Sequence, residues 1–421
     1  LLTSTLDDNR KENRTLHLMS EEDALSKVQK YLHRQGIDRL SPIARKVERE
    51  GTPNRRNVVL VFMESMSANL MGTFGSDKKL TPYLDSLYQQ SLSFSHFYSS
   101  GIHTNHGIYS TLYSFPAIMK RNAMKGSVIP VYSGLPTVLQ ENGYCNLFFM
   151  THESQYDNMN AFLRTNGFDE IYAQENYPSE KVVNSFGVQD DFMYQYALPI
   201  LNERAGTGNP FFSVLLSISN HPPYVIPPYF HPHSDVLEEQ IVEYADWSIR
   251  QFMQAAEKQS WFDNTIFVFL GDHGKMVGTP ECEMPQSYNH IPLMIYGKDI
   301  KPGVYDGFGG QVDVSPTLLG LLNISYLQNN FGVNLLEEER PCMFFTADNL
   351  IGARDSVNMF IYSPDSQQEF KYKLEEGKLR AATGTDEEAF RNLKDYCFSM
   401  LQSTESLVKE HKTLDKVSVK K

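Results

Sequence analysis

Cysteine and tryptophan are scarce in this chain. Four cysteines and two tryptophans occur in 421 residues. Cys145, Cys282, Cys342 and Cys397 stand far apart, with no Cys-x-x-Cys pair and no Cys/His spacing of a zinc finger. A structural zinc module is therefore excluded. Free or buried thiols are the simpler reading, with two disulfides as the alternative. No apolar run approaches the ~18 residues that a membrane span needs. Positive charge is also short, with 38 Lys and Arg against 51 Asp and Glu for a net charge of −13. That balance argues against nucleic-acid partners, which select a basic footprint. The chain begins Leu1-Leu2-Thr3 with no Met and no visible signal peptide, which leaves upstream anchors open. Repeats and low-complexity segments are lacking too.

Apolar material is ample: 41% hydrophobic residues, with 23 Tyr and 26 Phe. A chain this long suggests two or three domains, or one large α/β unit with additions. Residues 1–56 are polar and read as an N-terminal helical arm and linker, with a capped helix start at Ser20 and a second short helix over Pro42–Glu50. Apolar runs at Asn57–Met63, Tyr144–Met150, Phe211–Ile218, Thr265–Leu270 and Pro292–Tyr296 read as buried strands. Helical stretches fall between them: Pro82–Gln90 behind a Thr81 cap, Ile108–Ser114, Gln155–Asn166 and Glu238–Lys258. This alternation predicts an α/β fold with a mostly parallel central sheet sandwiched by helices, over residues 57–340. From residue 341 the pattern changes. Short antiparallel strands within Tyr362–Leu374 and Gly377–Ala382, then a helix over Glu387–Lys409, predict a smaller C-terminal α+β subdomain, with a frayed tail at Val417–Lys421.

Sites in open α/β sheets form beyond the carboxyl ends of the strands. The residues there are Glu64-Ser65, Thr151-His152-Glu153, Asn220-His221 and Asp272-His273-Gly274. Each of these strand ends delivers a carboxylate, an imidazole or both. Glu64, Asp272 and His273 form a mixed oxygen/nitrogen donor set suited to a divalent ion such as Zn²⁺ or Mn²⁺. The polar loop Ser99–Leu112 is the place for a nucleophile, because a hydroxyl at a helix N-terminus lies beside free backbone N–H groups that hold phosphate or sulfate. Thr104 fits best, with Thr111, Ser99 and Ser100 as rivals and an N-cap as its non-catalytic alternative. His103 and His106 read as loop residues, Trp247 and Trp261 as core, and Glu337–Glu339 as a solvated turn. Glu281-Cys282-Glu283 either lines the cleft or is solvated.

Several short stretches carry a resemblance through their order and spacing: Val58–Ser65, Thr81-Pro82-Tyr83-Leu84-Asp85-Ser86-Leu87, Gly101–Thr104, Asn220–Tyr224, Gly271–Gly274, His290-Ile291-Pro292-Leu293 and Asp313–Thr317. Over roughly residues 57–330 the chain resembles the extracellular catalytic domain of lipoteichoic acid synthases and their phosphoglycerol transferase relatives, within the alkaline phosphatase/sulfatase superfamily. The resemblance implies one divalent ion (Mn²⁺ or Zn²⁺, with Mg²⁺ the third candidate) held by Glu64, Thr104, Asp272 and His273. It implies Thr104 as nucleophile, His221 as acid/base near the transferred phosphate, and His152 and His290 on the substrate side. It also implies a phosphatidylglycerol-type donor, a glycan or polymer acceptor, N-terminal membrane spans, and a site facing the periplasm or cell exterior. One departure stands out: the family's phosphate-gripping Arg after the His152-like residue is missing from Gln155–Asn160, leaving Arg164 as the nearest substitute. The sulfatase Cys/Ser-x-Pro-x-Arg signature is absent, which argues against formylglycine chemistry. The alternatives are a phosphoethanolamine transferase, phosphodiesterase or sulfatase on the same scaffold, and a non-catalytic binding module.

Overall fold

A computed structural model describes residues 16–415 apart from 38–39, 127, 376–377 and 384–386. The expected frayed tail and the turn at Glu376-Gly377 lie outside the described residues. The centre is an eight-stranded sheet. Its strands in chain order are β1 (Asn57–Met63), β2 (Leu92–Tyr98), β3 (Cys145–Met150), β4 (Glu170–Tyr172), β5 (Phe211–Leu216), β6 (Thr265–Gly271), β7 (Leu293–Tyr296) and β8 (Gly303–Gly310). Their spatial order is β8-β2-β7-β6-β1-β5-β3-β4. Only β7 runs antiparallel to both its neighbours. Every residue of β1, β5 and β6 is buried, as continuous apolar runs require when helices cover both faces.

Side chains alternate across the sheet. Val58, Leu60 and Phe62 enter one core and Val59, Val61 and Met63 the other. The first core is shared with α1 (Glu21–Tyr31) and the C-terminal helix Glu387–Lys409. The second is covered by α2 (Pro82–Gln89) and by the helices Asp190–Ala205 and Leu237–Ala256. A five-stranded antiparallel sheet spanning Met343 to Ala381 forms the C-terminal addition.

Three local expectations change. Ser20 does cap α1, accepting from the Asp23 N–H (3.1 Å). Pro42–Glu50, however, is not helical: Arg45–Val47 is a strand paired with Tyr326–Gln328. Arg45 and Arg49 form ion pairs with Glu338 and Glu337, so that acidic turn anchors the arm instead of standing solvated. Thr81 does not cap α2. Asp246 reaches over from another helix and accepts from the N–H groups of Tyr83 and Leu84 (3.1 and 2.8 Å).

One buried ion pair locks the end of β8 to the segment that precedes the C-terminal sheet. Arg340 donates to both oxygens of Asp313 (2.6 and 2.7 Å) and to the Phe331 carbonyl (2.6 Å), and both residues are buried. Removing one partner strands a buried charge. Arg340→Leu is expected to lower the unfolding free energy by about 3–5 kcal/mol in urea melts. A loss below about 1 kcal/mol, the range of an exposed pair, would refute that burial.

Candidate active site

Parallel pairing sets the site. In register, Met63 of β1 lies opposite Gly271 of β6, so Glu64 and Asp272 leave adjacent strands at the same level. Both are buried, 1% and 0% exposed. Burial, together with the neighbouring Asp272, holds the Glu64 carboxyl well above the ordinary range. Asp272 Oδ1 accepts the N–H groups of Ser65 (2.8 Å) and His273 (2.7 Å), whereas its Oδ2 is buried without a partner. His273 Nδ1 donates to the Gly274 carbonyl (2.8 Å), because a carbonyl can only accept. That bond leaves Nε2 as the nitrogen turned to the carboxylates, 3.7 Å from Glu64 Oε1 and 3.6 Å from Asp272 Oδ2.

These donor atoms lie within 4.8 Å of one another. Two buried carboxylates, an orphan oxygen and an oriented imidazole are costly together unless a cation is among them. The residues thus fit a divalent ion.

The backbone is shaped to hold this arrangement. Ser65 adopts φ 51°, a left-handed conformation uncommon for a residue with a side chain, and its hydroxyl donates to Glu64 Oε1 (2.6 Å). Asn220 donates from Nδ2 to the carbonyls of Glu64 and Ser65 (3.0 and 3.2 Å). Gln311 braces the other side, donating to the Gly271 and Asp272 carbonyls (3.1 and 2.7 Å) and accepting from Ser100 N–H.

The Ser99–Leu112 loop closes against this centre. Its helix, α3, spans Thr104–Tyr113 and so begins four residues before the expected Ile108. Thr104 is the first helical residue, and His103 occupies the N-cap. Thr104 Oγ1 donates to Glu64 Oε2 at 3.4 Å. Close approach needs Gly107, where a Cβ would sit 2.3 Å from the Asp272 carbonyl oxygen. His103 pairs with Asp348 (2.7 Å) and Thr346 N–H donates to the Ser100 carbonyl (2.8 Å), so the C-terminal sheet props the loop. Of the rival hydroxyls, Ser99 donates to the Gly101 carbonyl (2.8 Å), and Thr111 Oγ1 is buried without a partner. His106 is a buried helix residue, not a loop one, and burial drops its pKa to about 3.

A wall of rings faces Thr104's neighbourhood. His152 packs on Tyr156 (4.9 Å between centroids), Tyr156 on Phe186 (6.1 Å), and Phe186 on His221 (4.2 Å). His152 and His221 donate from Nδ1 to the carbonyls of Glu153 (3.0 Å) and Pro222 (2.7 Å). Nε2 is then the nitrogen not bound to a carbonyl in each ring, and that of His152 is buried without a partner.

His290 is not gathered into this group. Its Nε2 donates to the Ser95 carbonyl (2.9 Å) and its ring is stacked on Tyr98 and edged by Phe74, both at 5.2 Å. Burial lowers its pKa to about 4. The expected substrate-side role gives way to packing, because the antiparallel β7 that follows turns this histidine toward β2.

Sequence reasoning missed two cations. Lys275 donates to Asn220 Oδ1 (2.6 Å) and lies 5.5 Å from the Tyr224 ring, and burial lowers its pKa to about 8. It sits two residues past His273, a proximity that was available as a signal. Lys125 had none. It pairs with Asp157 Oδ1 (2.9 Å), while Asn105, next to Thr104, donates to Asp157 Oδ2 (3.0 Å). Arg164 faces away, donating to Asn160 and the Asp169 carbonyl.

The comparisons agree with this geometry. The sulfatase family model matches residues 56–324, and the chain belongs to that family. It is 25% identical over 355 residues to the lipoteichoic acid synthase-like YvgJ of Bacillus subtilis, covering 76% of this chain and 55% of that protein. It is 24% identical over 400 residues to a lipoteichoic acid synthase of Staphylococcus aureus, covering 84% of this chain and 58% of that one. The chain thus spans little more than half the length of these relatives. Among solved structures, an alkaline phosphatase superfamily protein from Vibrio parahaemolyticus superposes with a TM-score of 0.84 at 25% identity, covering 94% and 97% of the two chains. Lipoteichoic acid synthase LtaP from Listeria monocytogenes gives 0.72 at 22%, covering 91% and 98%. The expected α/β architecture and superfamily are therefore found, and the chain is an enzyme of this class.

The donor set makes a prediction about metal. Saturating Mn²⁺ or Zn²⁺ at about 100 times its Kd should stabilise the protein by about 3 kcal/mol, read as a rise in Tm. Asp272→Asn keeps the Oδ1 acceptor but removes the like charge beside Glu64. The metal-free variant should melt above the metal-free parent and lose most of the metal-induced rise.

Proposed function

We propose that this chain carries the transfer site of a metal-dependent phosphotransferase that moves glycerol phosphate from a phospholipid, phosphatidylglycerol, to an acceptor hydroxyl on a glycan or polymer. The observation that carries this reading is Thr104 Oγ1 on Glu64 Oε2 at 3.4 Å, at the first position of α3 and beside the Asp272 and His273 donors. Glu64, Thr104, Asp272 and His273 would hold one ion, Mn²⁺ or Zn²⁺ before Mg²⁺. When bound, such an ion neutralises phosphoryl oxygens and lowers the pKa of a nearby hydroxyl.

The chain's own groups do the rest. Thr104 Oγ1 releases its proton to water and attacks phosphorus. The bond to the diacylglycerol oxygen breaks, and that oxygen takes a proton from Nε2 of protonated His221. Glycerol phosphate is now esterified to Thr104. The acceptor hydroxyl gives its proton to the now neutral His221 Nε2 and attacks phosphorus, and Thr104 leaves and takes a proton back from water. His152 turns its free Nε2 to the phosphoryl group, and the first amides of α3 stabilise charge on its oxygens. The donor is a membrane lipid, so the reading places the site at an outer membrane surface, in the periplasm or outside the cell. No described helix is long and apolar enough to cross a membrane.

The choice of head group rests on Asp157. An isolated carboxylate there would attract an ethanolamine ammonium group. Lys125 and Asn105 occupy both its oxygens, which favours a neutral polyol. The sulfatase reading lacks its nucleophile signature, since no Cys or Ser followed by x-Pro-x-Arg lies in Ser99–Leu112. Family membership supplies the scaffold and not the ester.

Incubation with Mn²⁺ and phosphatidylglycerol should add the mass of glycerol phosphate to Thr104 in intact-protein mass spectrometry. The adduct should be missing in Thr104→Ala; an adduct that survives this substitution would remove Thr104 from the mechanism. Lys125→Ala should shift the ratio of glycerol to ethanolamine head-group turnover toward ethanolamine by about fivefold, the equivalent of about 1 kcal/mol. An unchanged ratio would remove Asp157 from head-group selection.

A further inference from the structure

We propose a second binding site, for an anionic saccharide, in the groove on either side of Trp247. Two cavities of about 680 and 420 Å³ share Trp247 and Tyr229 in their walls and so lie on either side of this pair. Each is of a size that takes a small ligand, and together they suit a short chain rather than one ring.

The larger cavity is walled by Tyr83, Tyr229, Phe230 and Trp247. Tyr229 and Phe230 stand 6.2 and 5.5 Å from the Trp247 ring, and Tyr229 is 55% exposed. Flat aromatic faces of this kind cover the C–H faces of sugar rings. The acids nearby are already engaged. Asp246 holds two amides of α2, Glu243 accepts from the N–H groups of His233 and Ser234 (2.7 and 3.0 Å), and Asp191 in the smaller cavity accepts from the Tyr229 and Tyr244 hydroxyls; the one exposed acid, Glu180, lines the smaller cavity together with exposed Lys181. The cations are exposed. Among the described residues, Lys79 and Arg250, both lining this cavity, form no ion pair or hydrogen bond, and Arg250 acts on the buried Asp246 through space only. Two exposed cations beside aromatic faces, with the acids of this cavity buried, select a ligand that is both ring-bearing and negatively charged.

The two tryptophans differ in the same sense. Trp261 is core, 4% exposed, and donates to Asn202 Oδ1 (2.6 Å). Trp247, expected in the core, is half-buried, and its Nε1–H has no partner among the described residues. One wall comes from the segment that starts at His221. Tyr229 lies eight residues on, within about 28 Å of it even on an extended chain. A bound saccharide therefore lies on the same loop as the transfer site.

The two tryptophans also make the test direct, because Trp247 reports on the groove while Trp261 is shielded. The protein is titrated with maltohexaose phosphate, chondroitin sulfate hexasaccharide, unmodified maltohexaose and tripolyphosphate, without lipid donor. Binding is followed by fluorescence and by calorimetry. At least one charged saccharide should change the Trp247 emission and bind about tenfold or more tightly than maltohexaose and tripolyphosphate. Which one does so separates phosphate from sulfate as the source of charge. The Lys79→Ala, Arg250→Ala double variant, at exposed positions and with an unchanged circular dichroism spectrum, should weaken binding about tenfold or more. Trp247→Phe should abolish the fluorescence change. No charged saccharide binding, equal binding of maltohexaose or tripolyphosphate, or an indifferent double variant would overturn the site. No turnover is involved, so failure here leaves the transfer reading standing, and failure of transfer leaves this result standing.

Discussion

The structure turns on two carboxylates that cannot comfortably share one place. Glu64 and Asp272 emerge side by side from adjacent parallel strands, both out of contact with water. In water their repulsion would be modest, but in a buried setting it is severe. The protein meets this with positioned dipoles: the Ser65 hydroxyl on Glu64, and the Ser65 and His273 amides on Asp272. One oxygen, Asp272 Oδ2, is still left without a partner. A divalent ion among these atoms would satisfy that oxygen and both charges.

Much of the surrounding architecture can be understood as support for that pair. Asn220 and Gln311 hold the backbone on its two sides, and the absence of a side chain at Gly107 lets α3 press against the β6 turn. The C-terminal sheet does not contribute a ligand. It steadies the Ser99–Leu112 loop through His103–Asp348 and Thr346–Ser100. The rings from His152 to His221 form a separate wall, in which each imidazole has one nitrogen committed to a carbonyl and the other free. Positioning of this kind is how a site favours a transition state without rearranging during the reaction.

The central strands and the cluster of Glu64, Asp272 and His273 at their ends were legible in the sequence because the two signals coincide. A fully buried parallel strand reads as an unbroken apolar run, and the site lies where the run stops. Thus Glu64 and Asp272-His273 could be picked out directly. β2 was missed because its Ser and His residues interrupt the apolar pattern of Leu92–Tyr98. Arg45–Val47 was read as helix because three residues are too few to show a period, and their pairing with Tyr326–Gln328 is a long-range fact. His290 carried a familiar local motif, but its direction depended on β7 running antiparallel. Lys125 and Asp157 come from loops that meet only in three dimensions, and the left-handed φ values of Asp157 and Asn158 that bring this loop round leave no periodic trace.

The central claim is that one divalent ion belongs among Glu64, Asp272 and His273, in reach of Thr104. Anomalous diffraction from crystals grown with Mn²⁺, collected either side of the manganese edge, tests it most directly. The account predicts a single strong peak bounded by Glu64, Asp272 Oδ2, His273 Nε2 and Thr104 Oγ1. A fully occupied peak elsewhere, with these four groups in their present contacts, would contradict it.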